Sequence, residues 1–353
     1  MTDALLPTPF HVRTSLHNGA NAWVQRGRFS MPAHYGDAHQ EALAARMSAV
    51  LIDLSAEQDL RIHGYGAVSL LAAACGAAVR GLSIGRCERV HWCADGGGLR
   101  GFGMLARTGE DNFLLRSSDA DRPWFDSGAR DFGATVEDVT FARGLLLIAG
   151  PYALPLMFAA QLEAFSLETG RYAESDWRGI PIGLSRSAIC DGYELSCAPD
   201  DALIVFDRLM RAGRIVKARL AGEQARQLLQ METGIPLPHG DFAPARDPDA
   251  ETPLPGNLGF DDPAGSGTPA GAPRLVGLQY ESNTPLSFAA LFAGGSEVGR
   301  SLRSLYSPAC KGAIALGHLP QKYDAPGTTL TARGADSSGV REVSARVVSL
   351  PFV

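Results

Sequence analysis

The chain has no hydrophobic run long enough to suggest a membrane span. Leu145 to Met157 is apolar but broken by Gly150, Pro151 and Pro155, and a spanning helix needs roughly 20 apolar residues. That stretch reads as a strand entering a turn and a helix. An excess of basic charge is also missing: the net charge is −6, which excludes a surface built on a clustered basic stripe for nucleic acid. Met1 to Phe10 lacks the basic and apolar halves of a secretory signal. Cys75, Cys87, Cys93, Cys190, Cys197 and Cys310 form no C-x-x-C pair, so free thiols in a reducing cytoplasm are expected rather than disulfides or zinc. His17, His34, His39, His239 and His318 show no metal-ligand spacing. Ser185 and Ser187 lack the G-x-S-x-G frame of a nucleophile elbow. Gly96 to Gly98 are not followed by the Lys-Ser/Thr of a phosphate loop, so they read as a hairpin turn. No internal repeat is evident.

What is present is a soluble-enzyme composition, 45% hydrophobic and 20% charged, arranged in two styles. Asp37, with Gln40 in capping-box position, opens a helix. Val50 to Ser55 and Leu60 to Gly64 read as strands, and Ala67 to Val79 as a buried helix. Two strands are expected around the Asp95 to Gly98 turn, another at Phe113 to Arg116, a helix from Asp126 to Phe132, and extended chain at Leu145 to Ile148. Asp200 is expected to cap a helix through Met210, and Leu220 to Glu232 to form one ending at Gly234. Residues 242–273 are rich in Pro and Gly and read as a linker. Beyond Arg274 the chain becomes short strands separated by turns, which predicts an all-β closing domain, a small barrel or jelly roll. The whole is α+β: residues 1–241 as two interleaved α/β lobes, the linker 242–273, and a β-domain over 274–353.

The most informative segments are Asp191-Gly192-Tyr193-Glu194-Leu195 and, one helix further on, Gly222-Glu223-Gln224-Ala225-Arg226. Alternation along the strand places Tyr193, Leu195 and Cys197 on one face and Glu194 and Ser196 on the other. The helix pattern puts Ala225, Leu228 and Leu229 on the buried face, with Arg226 at its edge. A carboxylate accepts two parallel N–H bonds from an aminopyrimidine edge and so orients a flat heterocycle. A guanidinium pairs with a ligand carboxylate or bridges a pocket wall.

In order and spacing these segments resemble the folate-clamping part of the glycine-cleavage T-protein (aminomethyltransferase) family. The resemblance extends over nearly the whole chain, through Ser30 to Tyr35, Leu51 to Ser55, His63 to Ala67, Gly97 to Leu99, Gly109 to Leu115, Gly150-Pro151, Gly299, Ser307-Pro308, Ala313 to Leu319, Gly327 to Leu330 and Pro351 to Val353. It implies a three-lobed cloverleaf of two mixed lobes and a C-terminal barrel, with tetrahydrofolate as cofactor. By position it assigns folate binding to Glu194 and Arg226, with Tyr193 beside them; the spacing of the histidines and cysteines predicts no metal.

One departure bears on the reaction. The family's catalytic aspartate follows the Gly-Gly turn; here the place reads Leu99-Arg100-Gly101-Phe102, with Gly101 where the carboxylate belongs. Release of ammonia from an aminomethyl carrier calls for an acid or anionic partner. Arg86 to Cys93 and Leu115 to Asp121 resemble the demethylase branch, which moves methyl groups to tetrahydrofolate. The expected reaction is therefore methyl transfer from an O-, S- or N-methyl donor, with in-line positioning lowering much of the barrier. No catalytic residue is assigned; His91, Trp92 and Arg100 are the candidates for the donor side. The partners expected are a small-molecule methyl or one-carbon donor and, in one reading, a protein of a one-carbon pathway. The competing readings are a non-catalytic folate-binding or regulatory protein, a folate-binding subunit of a larger transfer or oxidase complex, and an aminomethyltransferase.

Overall fold

The structure, a computed structural model, describes residues 4–94, 98–162, 167–187, 189–238, 240–242, 244, 273–336 and 339–353. Asp95 to Gly97 of the expected hairpin turn, His239 and most of the expected linker 242–273 lie outside the described residues. The chain divides into two compact units, Met1–Val90 with Phe102–Leu229, and His91–Gly101 with Gln230–Val353. The architecture is α+β and ends in a closed barrel.

The first unit contains a six-stranded sheet in the order Tyr172–Asp176, Pro181–Arg186, Tyr193–Cys197, Gly144–Ala149, Val50–Asp53, Arg219–Leu220. Gly144–Ala149 is central because every residue in it is buried, the signature of a strand covered on both faces. One face carries Leu51, Leu146, Ile148, Leu184 and Leu195, packed with Phe10, Leu156, Phe206 and Leu209. Each such side chain contributes roughly 1.5–3 kcal/mol on burial. A five-stranded sheet runs Cys87–Cys93, Leu99–Gly109, Asn112–Ser117, Gln58–His63, Thr135–Asp138. Leu6–Pro7, Phe29–Pro32 and Trp23–Arg26 make a third, small sheet.

Local chemistry explains where the helices start and stop. The Asp37 carboxylate accepts from the amides of His39 and Gln40 at 2.8 and 3.0 Å, capping Ala38–Met47. The helix from Ala67 ends at Cys75, short of Val79, because Gly76 turns to φ +98° and a 3-10 turn follows. The helix ending at Phe132 begins at Arg122, earlier than Asp126, with Pro123 in its first turn, where a missing N–H costs nothing. Asp200 does not cap; it sits in a 3-10 turn ahead of Ala202–Gly213. Leu220 is drawn into a parallel pairing with Leu51, so the next helix is Glu223–Glu232.

The barrel of the second unit closes in the order Arg274–Tyr280, Gly312–Leu319, Ser296–Ser307, Ala290–Ala293, Thr329–Asp336, Gly339–Val348. Its interior combines Leu278, Leu291 and Leu330 with Ala313, Ala315, Ala332 and Ala345, small residues where the taper leaves little room. Closure leaves no unpaired strand edge. Among the described residues no helix is long and apolar enough to cross a membrane.

Candidate functional site

The strand Tyr193–Cys197 presents Glu194 on the face away from the large apolar core, as alternation requires. Tyr193 is buried in that core, with the Arg186 guanidinium 4.4 Å from its ring centroid. Tyr193 and Glu194 are thus neighbours in sequence on opposite faces. Glu194 pairs in register with Leu147 on one side and Ser185 on the other.

Arg116 holds the Glu194 carboxylate: its Nη1 donates to Oε2 at 2.7 Å. Arg116 lies on Asn112–Ser117, opposite Asp59 of Gln58–His63, and its Nε and Nη2 donate to the two Asp59 oxygens at 2.9 and 3.0 Å. Arg143 Nε also donates to Asp59, and Arg143 Nη2 to the Glu57 carbonyl at 3.0 Å. Burial pushes the Asp59 carboxyl up, but Arg116 and Arg143 outweigh it and hold the group below the ordinary carboxylate range. Asp59 is fully shielded from solvent, whereas the Glu194 side chain keeps 13% of its surface exposed. Among the described residues Glu194 Oε1 accepts no hydrogen bond, so the carboxylate has one oxygen fixed and one on offer.

Arg226 proves more enclosed than a helix-edge position suggests. It is 2% exposed, with Nε and Nη2 donating to the two Glu223 oxygens at 2.7 Å each and Nη1 3.7 Å from Glu57. Arg26 completes the group, 2.6 Å from Glu57 and 3.3 Å from Glu223. Burial raises Glu223, yet Arg226 and Arg26 hold it at about 2. Gly222 allows this arrangement, since a Cβ there would stand 2.5 Å from the Ala33 carbonyl oxygen. Glu41 ties the same corner together, accepting from the Tyr35, Gly36 and Gly222 amides at 2.6, 3.1 and 2.9 Å. Through Glu57, the Arg226 group joins Arg143, Asp59, Arg116 and finally Glu194. Among the described residues the ion pairs thus form two clusters, Arg26 and Arg226 with Glu57 and Glu223, and Arg116 and Arg143 with Asp59 and Glu194, linked by the hydrogen bond from Arg143 to the Glu57 backbone carbonyl.

Sequence reasoning did not find Asp59, Arg143, Glu57 and Arg26. Asp59 alternates with Arg61 and His63, which reads as a solvated face, and nothing local reveals the arginines that enclose it. The Asp53-Leu54-Ser55 segment is structural: Thr8 donates to Asp53 at 2.6 Å, and Ser55 Oγ accepts from the Leu145 amide at 3.1 Å.

His91, Trp92, Arg100 and Gly101 belong to the second unit. His91 and Trp92 are buried, Trp92 completely, and Arg100 is half-buried. A Cβ built on Gly101 would lie 2.5 Å from Cζ2 and 2.7 Å from Cε2 of Trp92. The indole occupies the space that any side chain at this position would need. Among the described residues no group of three or more His, Cys, Asp or Glu is placed to hold a metal ion.

Family models match in sequence order: the GCVT N-terminal domain over residues 12–254 and the glycine cleavage T-protein C-terminal barrel domain over 274–353. The chain belongs to the glycine cleavage T-protein family. Relatives of this T-protein-family chain include an aminomethyltransferase of Saccharopolyspora erythraea, 29% identical over 98% of this chain and 97% of that protein. Another is an aminomethyltransferase of Thermus thermophilus, 28% identical over 92% and 93%. The glycine cleavage system aminomethyltransferase T of Bartonella henselae has the same fold, with a TM-score of 0.82 at 24% identity over 99% of this chain and 98% of that one. T-protein-family members bind tetrahydrofolate.

Proposed function

We propose that the protein is a tetrahydrofolate-dependent one-carbon transferase that takes a methyl group from an O-, S- or N-methyl donor. The observation that carries the choice of reaction is the Gly101–Trp92 packing, which leaves no space for a carboxylate where the family's aspartate stands. A reaction that leans on positioning suits such a site better than one needing an anionic partner for departing ammonia.

Tetrahydrofolate, when bound, supplies the nitrogen lone pair that takes up the one-carbon unit. Glu194 orients the pterin by accepting its N–H groups, with the carboxylate held still by Arg116. Arg226, engaged by Glu223 and Glu57, braces the wall of the folate site rather than reaching for the ligand. Tyr193 fixes the strand that carries Glu194. Arg100, His91 and Trp92 are the donor-side candidates, Arg100 by virtue of a guanidinium that can pair with a carboxylate.

The names of the relatives favour a second reading, aminomethyl transfer. Incubation with tetrahydrofolate and carbon-13 methyl-labelled sulfonium, aryl ether and N-methyl donors is expected to give 5-methyltetrahydrofolate by NMR. Methylene-tetrahydrofolate formed only from an aminomethylated carrier protein would replace methyl transfer with the second reading. Folate binding without product from either donor class would identify a non-catalytic folate-binding protein.

A further inference from the structure

The Glu194 carboxylate is not a bare anion. Its Oε2 is held by Arg116 Nη1 at 2.7 Å, and Arg116 cannot swing away because two further bonds, at 2.9 and 3.0 Å, fix it to Asp59. Asp59 is in turn held by Arg143 and is completely buried. Asp59, Glu194, Arg116 and Arg143 sum to zero charge. The Cys87 thiol, which senses the Glu194 charge, is pushed up to about 11, first by burial and then by that carboxylate, so it stays neutral at physiological pH.

A half-buried carboxylate with no partner selects a cation, because an uncompensated charge there is costly. A carboxylate that already shares a guanidinium gains little from a second cation, which would also stand a few ångströms from Arg116 and be repelled. Neutral N–H donors at the open oxygen meet no such penalty. We propose that Arg116 is a specificity-determining, positioning residue: it tunes Glu194 to accept from a neutral 2-amino-4-oxo pterin and to reject a protonated 2,4-diaminopteridine. The proposal rests on Glu194 being the pterin acceptor.

The test is calorimetric titration of the full-length protein with tetrahydrofolate and, separately, with the 2,4-diaminopteridine methotrexate. The expected result is that wild type prefers tetrahydrofolate and that Arg116→Met shifts the ratio of the two affinities toward methotrexate by about tenfold or more. Arg116→Lys, which keeps a cation while losing the forked geometry, should keep the preference near wild type even if its melting temperature falls. Should Arg116→Met not fold, Arg116→Gln, which keeps a donor to Asp59 without the charge, gives the same reading. A purely structural Arg116 weakens both ligands in parallel, and an unchanged ratio overturns the proposal; Glu194→Ala titrated alongside separates the two claims, since a loss of tetrahydrofolate affinity there leaves the Glu194 assignment standing and unchanged affinity overturns that assignment as well. Wild type that binds neither pteridine overturns both.

Discussion

Gly101 lies against the Trp92 ring with no room for a side chain. A methyl group there would press on a Trp92 ring that is fully buried, and inserting atoms into a packed interior costs about 1–3 kcal/mol. Gly101→Ala is expected to lower stability by that order in denaturant titration, and Gly101→Asp by more. Asp59 is the second sensitive residue. Removing its charge leaves Arg116 and Arg143 enclosed without their anion, and breaking a buried pair this way typically costs about 3–5 kcal/mol. Asp59→Asn should therefore melt far below wild type by circular dichroism. The placement of Glu194 on the face opposite Tyr193 and Leu195 was legible from strand alternation, while its folate role came only from the family resemblance. Its partner was not legible, because Arg116 lies on another strand and only the fold brings the two to 2.7 Å.

At the scale of elements, the corner around Arg226 depends on how the helix Glu223–Glu232 is seated. Gly222 lets the chain approach the Ala33 carbonyl, after which the Gln224 amide donates to that same carbonyl at 3.0 Å. Glu223 and Arg226 then fall one helical turn apart and grip each other. Gly222→Ala is expected to shift the helix start, lower stability and weaken tetrahydrofolate affinity together, measured by melting and by titration on the same sample. The helix itself and its end near Gly234 were readable from periodicity and the terminal glycine. That Arg226 is enclosed was not, since Glu57, which it approaches at 3.7 Å, and Arg26, which shares Glu57 and Glu223 with it, are distant in sequence. The C-terminal barrel was readable in outline from closely spaced short strands. Closure was not, because it depends on Arg274–Tyr280 pairing with Gly339–Val348, a register no local pattern encodes. Asp200 misled because an acidic residue before an apolar run resembles a cap, while Pro199 builds a 3-10 turn instead.

Across the whole molecule, the first unit encloses two buried ion clusters linked through the Glu57 backbone carbonyl, and in one of them Glu223 pairs with Arg226 and Arg26 as an ionised carboxylate. Glu223 sits at about 2 in the folded protein against an ordinary 4.5. A depressed carboxylate contributes stability that is complete above the unfolded value and is lost as pH falls toward the folded one. Melting temperature is therefore expected to drop between pH 4.5 and 2, more steeply in wild type than in Glu223→Gln, which has no carboxyl to titrate. Equal slopes would remove Glu223 from the account. Family membership implies tetrahydrofolate, the buried ion pairs make the surroundings of Glu194 rigid, and the Gly101–Trp92 packing leaves no room for a side chain at position 101. The claim on which the rest depends is that Glu194 holds the pterin, and titration calorimetry of tetrahydrofolate against wild type and Glu194→Ala tests it most directly. The account predicts saturable binding by wild type and a loss of about tenfold or more in the variant, at an unfolding temperature showing that it remains folded; equal affinity in the two proteins would contradict it.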